Sequence, residues 1–160
     1  METLSVPRTQ PEMLDVLPRH QRLFIGVPKE TTLQENRVAL APHSVMTLAA
    51  HGHHIIIEAG AGEKAKFSDH DYSEAGAQIS QSTEEVFKAD VLLKVAPPTP
   101  AEIEMMRPNQ VVISPIHLPL LDAEYITRLQ KRRVIALAME YIRDDETGVF
   151  PIVNAMSEIS

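Results

Sequence analysis

"ADVLLKVAPPTPAEIEMMRPNQVVIS", residues 89 to 114, holds two apolar runs separated by a proline-rich connection and a helix start. "DVLLKV" (90 to 95) and "QVVIS" (110 to 114) are continuous rather than alternating, the pattern of parallel strands covered on both faces. Between them, "TPAE" (99 to 102) sets a threonine three residues before an acid. That is a capping box, with Pro100 where a first helical residue belongs. "APPTP" (96 to 100) abuts the box, so its prolines read as a rigid strand-to-helix connection rather than as a proline-rich ligand. The stretch predicts one strand, one helix and a second strand.

The same arrangement recurs on either side. "LFIGV" (23 to 27), "HIIIEA" (54 to 59) and "VIALAM" (134 to 139) are further candidate strands, and "SDHD" (68 to 71) and "STEE" (82 to 85) repeat the capping box. Pro42 opens another helix, with Val45, Leu48 and Ala49 on one face and Gly52 as its stop. Asp122 begins the last one, striped by Tyr125, Ile126 and Leu129, and "KRR" (131 to 133) complements its negative end. Strand and helix alternating with right-handed crossovers predict an α/β fold: an open doubly wound, mostly parallel sheet, flavodoxin-like or Rossmann-like.

A chain of 160 residues and 17.8 kDa fits one domain with a real core. It contains no cysteine, which excludes disulfides, thiolate nucleophiles and thiolate metal sites and fits a cytoplasmic setting. The formal charge is −7 and the basic residues are scattered, which argues against a nucleic-acid or anionic-membrane partner. The longest apolar runs fall far short of the ~20 residues of a spanning helix. Residues 1–21 carry prolines at 7, 11 and 18 and lack the cationic start and apolar centre of a signal peptide, so they are expected to form a poorly ordered leader to a domain over 22–160.

In doubly wound sheets, ligands bind beyond the carboxyl ends of the strands where strand order reverses. Arg37 lies in the loop after the first strand, Lys94 at the end of "DVLLK" and His117 just after "QVVIS". A guanidinium grips a planar carboxylate with two parallel hydrogen bonds, a lysine polarises a carbonyl, and an imidazole moves a proton near neutral pH. Together they suit a small oxo or amino acid. Each also has a plainer reading: a surface loop charge for Arg37, a snorkelling strand-end side chain for Lys94, a half-buried histidine bonded to backbone for His117.

Three motifs are set aside. "GAGEKA" (60 to 65) fits a dinucleotide fingerprint in outline, but its glycines more simply make a strand-exit turn, and the following segment is too charged and too late in starting its helix. "HGHH" (51 to 54) has no fourth ligand nearby, and His51 is better placed to meet helix-end carbonyls, so no metal is expected there. "RDDETG" (143 to 148) reads as a hairpin turn closing at Gly148 rather than a calcium loop.

"IGVPKETTLQENRVALAPHSV", "EAGAGEKAKFSDHDYSEAGAQI", "ADVLLKVAPPTPAEI", "IHLPLL" and "NAMSEIS" follow one another in the order and spacing of the N-terminal part of alanine dehydrogenases. That region is similar to the NAD-binding subunit of proton-translocating transhydrogenases. The resemblance runs from about Phe24 to Ser160. It implies the first part of a substrate domain, with a separate Rossmann domain for NAD beyond this chain, so that the fragment alone is expected to be inactive. The implied reaction is reversible oxidative deamination of L-alanine to pyruvate and ammonia by a homo-oligomer, commonly a hexamer. By position, Arg37 and Lys94 bind substrate carboxylate and carbonyl, His117 is the acid/base, and Met156 lies near the pocket; Glu35 and Asn36 shape the loop before Arg37. His117 favours the dehydrogenase, since the transhydrogenases lack it. Pro115 departs from the family, which carries an aromatic residue there; it removes a backbone donor and stiffens the loop behind the histidine.

Two further readings remain: the transhydrogenase subunit, and a non-enzymatic α/β ligand-binding module. A phosphoreceiver of this architecture needs an aspartate near the end of its central strand, where this chain has Lys94.

Overall fold

A computed structural model describes residues 21–117 and 122–141. Six strands make one sheet: β1 (Phe24–Val27), β2 (His54–Glu58), β3 (Gln78–Ser80), β4 (Val91–Leu93), β5 (Val111–Ser114) and β6 (Ile135–Ala138). Their order is β3-β2-β1-β4-β5-β6 and all pairings are parallel. That is the Rossmann order rather than the flavodoxin order, and the chain changes its direction of travel across the sheet between β1 and β4.

Among the described residues five α-helices connect the strands: α1 (Pro42–Ala50), α2 (Asp69–Glu74), α3 (Thr83–Val86), α4 (Pro100–Met105) and α5 (Ala123–Arg132). Their starts obey local chemistry. Ser68 with Asp71, and Thr99 with Glu102, form reciprocal capping boxes, and the Asp122 carboxylate accepts the Tyr125 N–H. "STEE" makes only half its box. Ser82 Oγ accepts the Glu85 N–H, but the Glu85 carboxylate accepts the Ser80 hydroxyl instead of reaching back to its own helix start.

Side-chain alternation along the strands divides the core into two layers. Ile25, Val27, Ile55 and Ile57 pack with Val45 of α1 and Tyr72 of α2, while Ile56, Leu92 and Val112 pack on the opposite face with Val86, Phe87 and Met106. Gly26 allows the second layer to close. A Cβ on it would stand 2.7 Å from the Val86 carbonyl oxygen and 2.9 Å from the Ala89 Cβ.

Two elements depart from the sequence reading. β3 was not expected: it has three residues, one of them an exposed glutamine, and offers no continuous apolar run. β6 is not covered on both faces. Among the described residues it is an edge strand, paired only with β5, and its burial alternates, leaving Ile135 and Leu137 exposed at 46% and 44%. Through the register Ile25↔Val91↔Val111↔Ile135 these side chains share the face that α1 and α2 cover at the other half of the sheet.

The three imidazoles of "HGHH" diverge. His51 Nδ1 lies 2.7 Å from the Thr47 carbonyl at the end of α1, His53 Nδ1 accepts the Leu23 N–H, and His54 stacks on Phe24 at 4.5 Å. No helix among the described residues is long and apolar enough to cross a membrane. The leader through residue 20, the turn expected at 143–148 and Met156 lie outside the described residues.

Candidate functional site

The exits of β1, β4 and β5 are neighbours at the carboxyl edge of the sheet, and each carries one of the three predicted site residues. Lys94 continues the β4 ladder by one residue, its N–H donating to the Ile113 carbonyl. Side chains on one face recur every second residue, so Lys94 follows Leu92 onto the α4 side of the sheet. There it does not snorkel. It is 1% exposed, and Nζ donates to Glu30 Oε2 at 2.8 Å and to Glu102 Oε1 at 3.2 Å.

Both carboxylates are buried as well, and a charge removed from water must be paired and hydrogen-bonded. Their other oxygens are engaged. Glu30 Oε1 accepts the Val95 N–H at 2.6 Å and, more weakly, that of Ala96, while Glu102 Oε2 accepts the Thr99 N–H at 2.8 Å. The capping box of α4 therefore also aims a carboxylate at Lys94. Of the three ammonium hydrogens, two have partners among the described residues. Opposite Lys94, one place beyond the Leu93↔Ile113 pair, stands Ser114, fully buried, whose hydroxyl has no hydrogen-bond partner among the described residues.

Arg37 is exposed in the loop after β1. Its Nε donates to Glu35 Oε1 at 2.9 Å and its Nη2 to Glu35 Oε2 at 2.8 Å, a bidentate pair. The Arg37 backbone N–H also donates to Glu35 Oε1. These bonds from Arg37 hold the Glu35 carboxyl below its ordinary range, against an opposing push from partial burial. Arg37 is raised in turn, first by its bond to Glu35, with a smaller Coulombic contribution from Glu30. Glu30 thus bonds Lys94 and also lies within the electrostatic reach of Arg37.

His117 is exposed at the β5 exit, with its backbone in the left-handed region at φ 52°. Glu140, beyond β6, fixes that turn: its carboxylate accepts the His117 N–H at 2.7 Å and the Ile116 N–H at 3.0 Å. Burial pushes the Glu140 carboxyl up, but the backbone N–H donors and the nearby His117 outweigh it and leave it below the usual range. Pro115 has no N–H to contribute, so the two donors after it do the holding.

The structure bonds Lys94 to Glu30, a residue of the same β1–α1 loop that carries Arg37, and sets His117 on the adjacent strand exit; among the described residues the imidazole touches neither cation. Sequence reading missed Glu30, Glu102, Glu140 and Ser114. Of these only Glu102 left a signal, and it pointed to a helix cap.

At the glycine turn Gly60, at φ 77°, gives its N–H to Asp69 Oδ1, and a Cβ on Gly62 would meet the Tyr72 ring at 2.6 Å, so the glycines serve the strand-exit turn and its packing against α2.

Comparison with known proteins is consistent across sequence and structure. The family described as alanine dehydrogenase/PNT, N-terminal domain matches residues 26–160. The alanine dehydrogenase of Bacillus subtilis (strain 168) is 36% identical over 138 residues, spanning 86% of this chain and 36% of that protein. The alanine dehydrogenase of Mycolicibacterium smegmatis is 36% identical over 143 residues, with 86% and 37% covered. Among solved structures, an L-alanine dehydrogenase superposes with a TM-score of 0.77 at 38% identity, covering 83% of this chain and 36% of that one. A transhydrogenase from Sinorhizobium meliloti gives 0.67 at 34% identity, over 72% and 34%. The chain spans little more than a third of the length of these relatives.

Proposed function

The chain belongs to the alanine dehydrogenase/PNT N-terminal domain family, and on that premise we propose that it is the first part of the substrate half of an NAD-dependent alanine dehydrogenase. The overall reaction takes L-alanine, NAD+ and water to pyruvate, ammonium, NADH and a proton, and runs reversibly. NAD is assigned by the family resemblance to a Rossmann domain outside this chain. The chain's own residues are left with binding, orientation and proton movement.

In this reading Arg37 takes the substrate carboxylate, for which a guanidinium fork is the matched partner. Lys94 directs its remaining N–H at the carbonyl oxygen and polarises it. His117 exchanges the proton at the substrate nitrogen or at the water that attacks the carbon. Met156 is assigned to the substrate site by the family resemblance alone. The observation that carries the reading is the bond from Lys94 to Glu30, which fastens the β1–α1 loop that holds Arg37 to the end of β4 at the β1/β4 switch point. A cytoplasmic homo-oligomer, hexameric in its complete form, completes the proposal.

The test is pyruvate titration of the 160-residue chain, followed by NMR at the Arg37 Nε–H and Lys94 resonances. Saturable shifts at both, with the Lys94 shift abolished by Arg37→Ala, support the reading. A Lys94 shift untouched by that substitution ends it. A second reading, the transhydrogenase subunit, is favoured by the 34% identity to the Sinorhizobium meliloti protein and predicts no pyruvate response at all. Pyruvate binding by the chain, with no alanine-dependent NADH formation by a product that joins it to an NAD-binding domain, would point instead to a ligand-binding module.

A further inference from the structure

We propose that Glu35 is a built-in competitor for the ligand's carboxylate and so sets the affinity of the Arg37 fork for its anionic ligands; this rests on the reading of Arg37 given above. A guanidinium docks a carboxylate through two parallel N–H groups on one edge. On Arg37 the Nε and Nη2 edge is already taken by Glu35, at 2.9 and 2.8 Å. A third donor, the Arg37 backbone N–H, meets the same Oε1 at 2.9 Å. Glu35 thus occupies the guanidinium as a substrate carboxylate would.

The occupant and its host differ in exposure. The Arg37 side chain is 53% exposed and that of Glu35 only 13%, so the guanidinium faces solvent while its partner lies against the loop. An incoming carboxylate therefore reaches Arg37 from outside and exchanges with Glu35, whose Oε1 keeps the Arg37 backbone N–H as a partner throughout. No part of the sheet has to move, because both residues belong to one loop and stand two positions apart.

The experiment titrates pyruvate into the 160-residue chain and its Glu35→Gln variant, monitored at the Arg37 Nε–H by NMR. Glutamine retains an oxygen for the Arg37 backbone N–H but gives up the charge, so pyruvate should bind about threefold more tightly to the variant, the scale of an exposed ion pair released. In the unsubstituted chain, the Glu35 side-chain carboxyl carbon should shift along the same binding isotherm as the Arg37 Nε–H. Unchanged or weakened binding in Glu35→Gln, or an Arg37 response with a silent Glu35 carbon, overturns the proposal. Pyruvate binding that survives Arg37→Ala, read at the Lys94 resonances, fails the underlying reading, whereas binding lost in Arg37→Ala but not improved in Glu35→Gln fails this proposal alone. Absence of any pyruvate response in both proteins overturns both.

Discussion

Lys94 and Glu30, sixty-four residues apart in the chain, meet at 2.8 Å with their side chains 1% and 5% exposed. The contact pins the β1 exit to the β4 exit, and Glu102 completes it from α4. Removing one member of a buried ionic group leaves another uncompensated, which costs about 3–5 kcal/mol. Glu30→Ala should therefore lower the urea midpoint steeply, because it strips the ammonium of its shorter partner and orphans the Val95 N–H. Glu35→Ala, at the more exposed pair, should cost less than about 1 kcal/mol. Equal midpoints for the two variants would mean that the buried group contributes nothing specific.

Gly26 is required for a different reason. The side chain of alanine would sit 2.7 Å from the Val86 carbonyl and 2.9 Å from the Ala89 Cβ, both fixed in the turn from α3 into β4. Overpacking of this kind costs about 1–3 kcal/mol. Gly26→Ala should shift the urea midpoint down by that amount without changing the m-value. A variant as stable as the parent would show that the second core layer yields more readily than the contacts imply.

Most of the fold was legible because its signals are local. Continuous apolar runs located β1, β2, β4 and β5, and Ser68, Thr99 and Asp122 marked helix starts through bonds that span three residues. β3 escaped because three residues carry too little pattern, and β6 showed its run but not its edge position, which depends on where the chain goes next. At the site the cations were legible and their carboxylates were not. Arg37, Lys94 and His117 stand at strand exits, which periodicity locates, whereas Glu30 and Glu140 reach their partners across 64 and 23 residues. Glu102 was visible, but the capping role it plays at Thr99 accounted for it fully and concealed its second oxygen.

Tyr72 gives a prediction at alkaline pH. It is fully buried, donates its hydroxyl to the Leu40 carbonyl at 2.7 Å, and burial, helped by Asp69 and Asp71, pushes its deprotonation up to about 12. In the unfolded chain the phenol ionises near ~10. A pKa raised by folding contributes stability that is complete below the unfolded value and is lost as pH rises through the folded one, so the loss falls between pH 10 and 12. Tyr72→Phe should lose roughly 1 kcal/mol at neutral pH through the missing hydrogen bond, and should then lose stability less steeply than the parent across that alkaline window. Parallel stability curves in the two proteins would assign the alkaline loss elsewhere, with Tyr125, also pushed up to about 12 by burial, the next residue to test.

Glu140 gives the corresponding prediction in acid, and it bears on how His117 is held. Burial pushes its carboxyl up, but the backbone N–H groups of His117 and Ile116 outweigh that push and leave it below the ordinary range. A carboxylate depressed by folding contributes stability that is present above its unfolded pKa, near ~4.3, and is lost as pH falls through the lower folded value. The amide nitrogens of Ile116 and His117 should therefore shift together in that acid range, on a single titration curve. Glu140→Ala removes the acceptor for two backbone donors, and amide exchange at both positions should quicken about tenfold, the equivalent of one lost hydrogen bond. His117 has the added constraint of its left-handed backbone at φ 52°, which asparagine tolerates and valine does not. His117→Asn should accordingly retain slow exchange at Ile116, while His117→Val releases the loop as Glu140→Ala does. Slow exchange in both Glu140→Ala and His117→Val would show that the β5 exit holds its shape without Glu140, and that the imidazole is aimed by something other than this carboxylate.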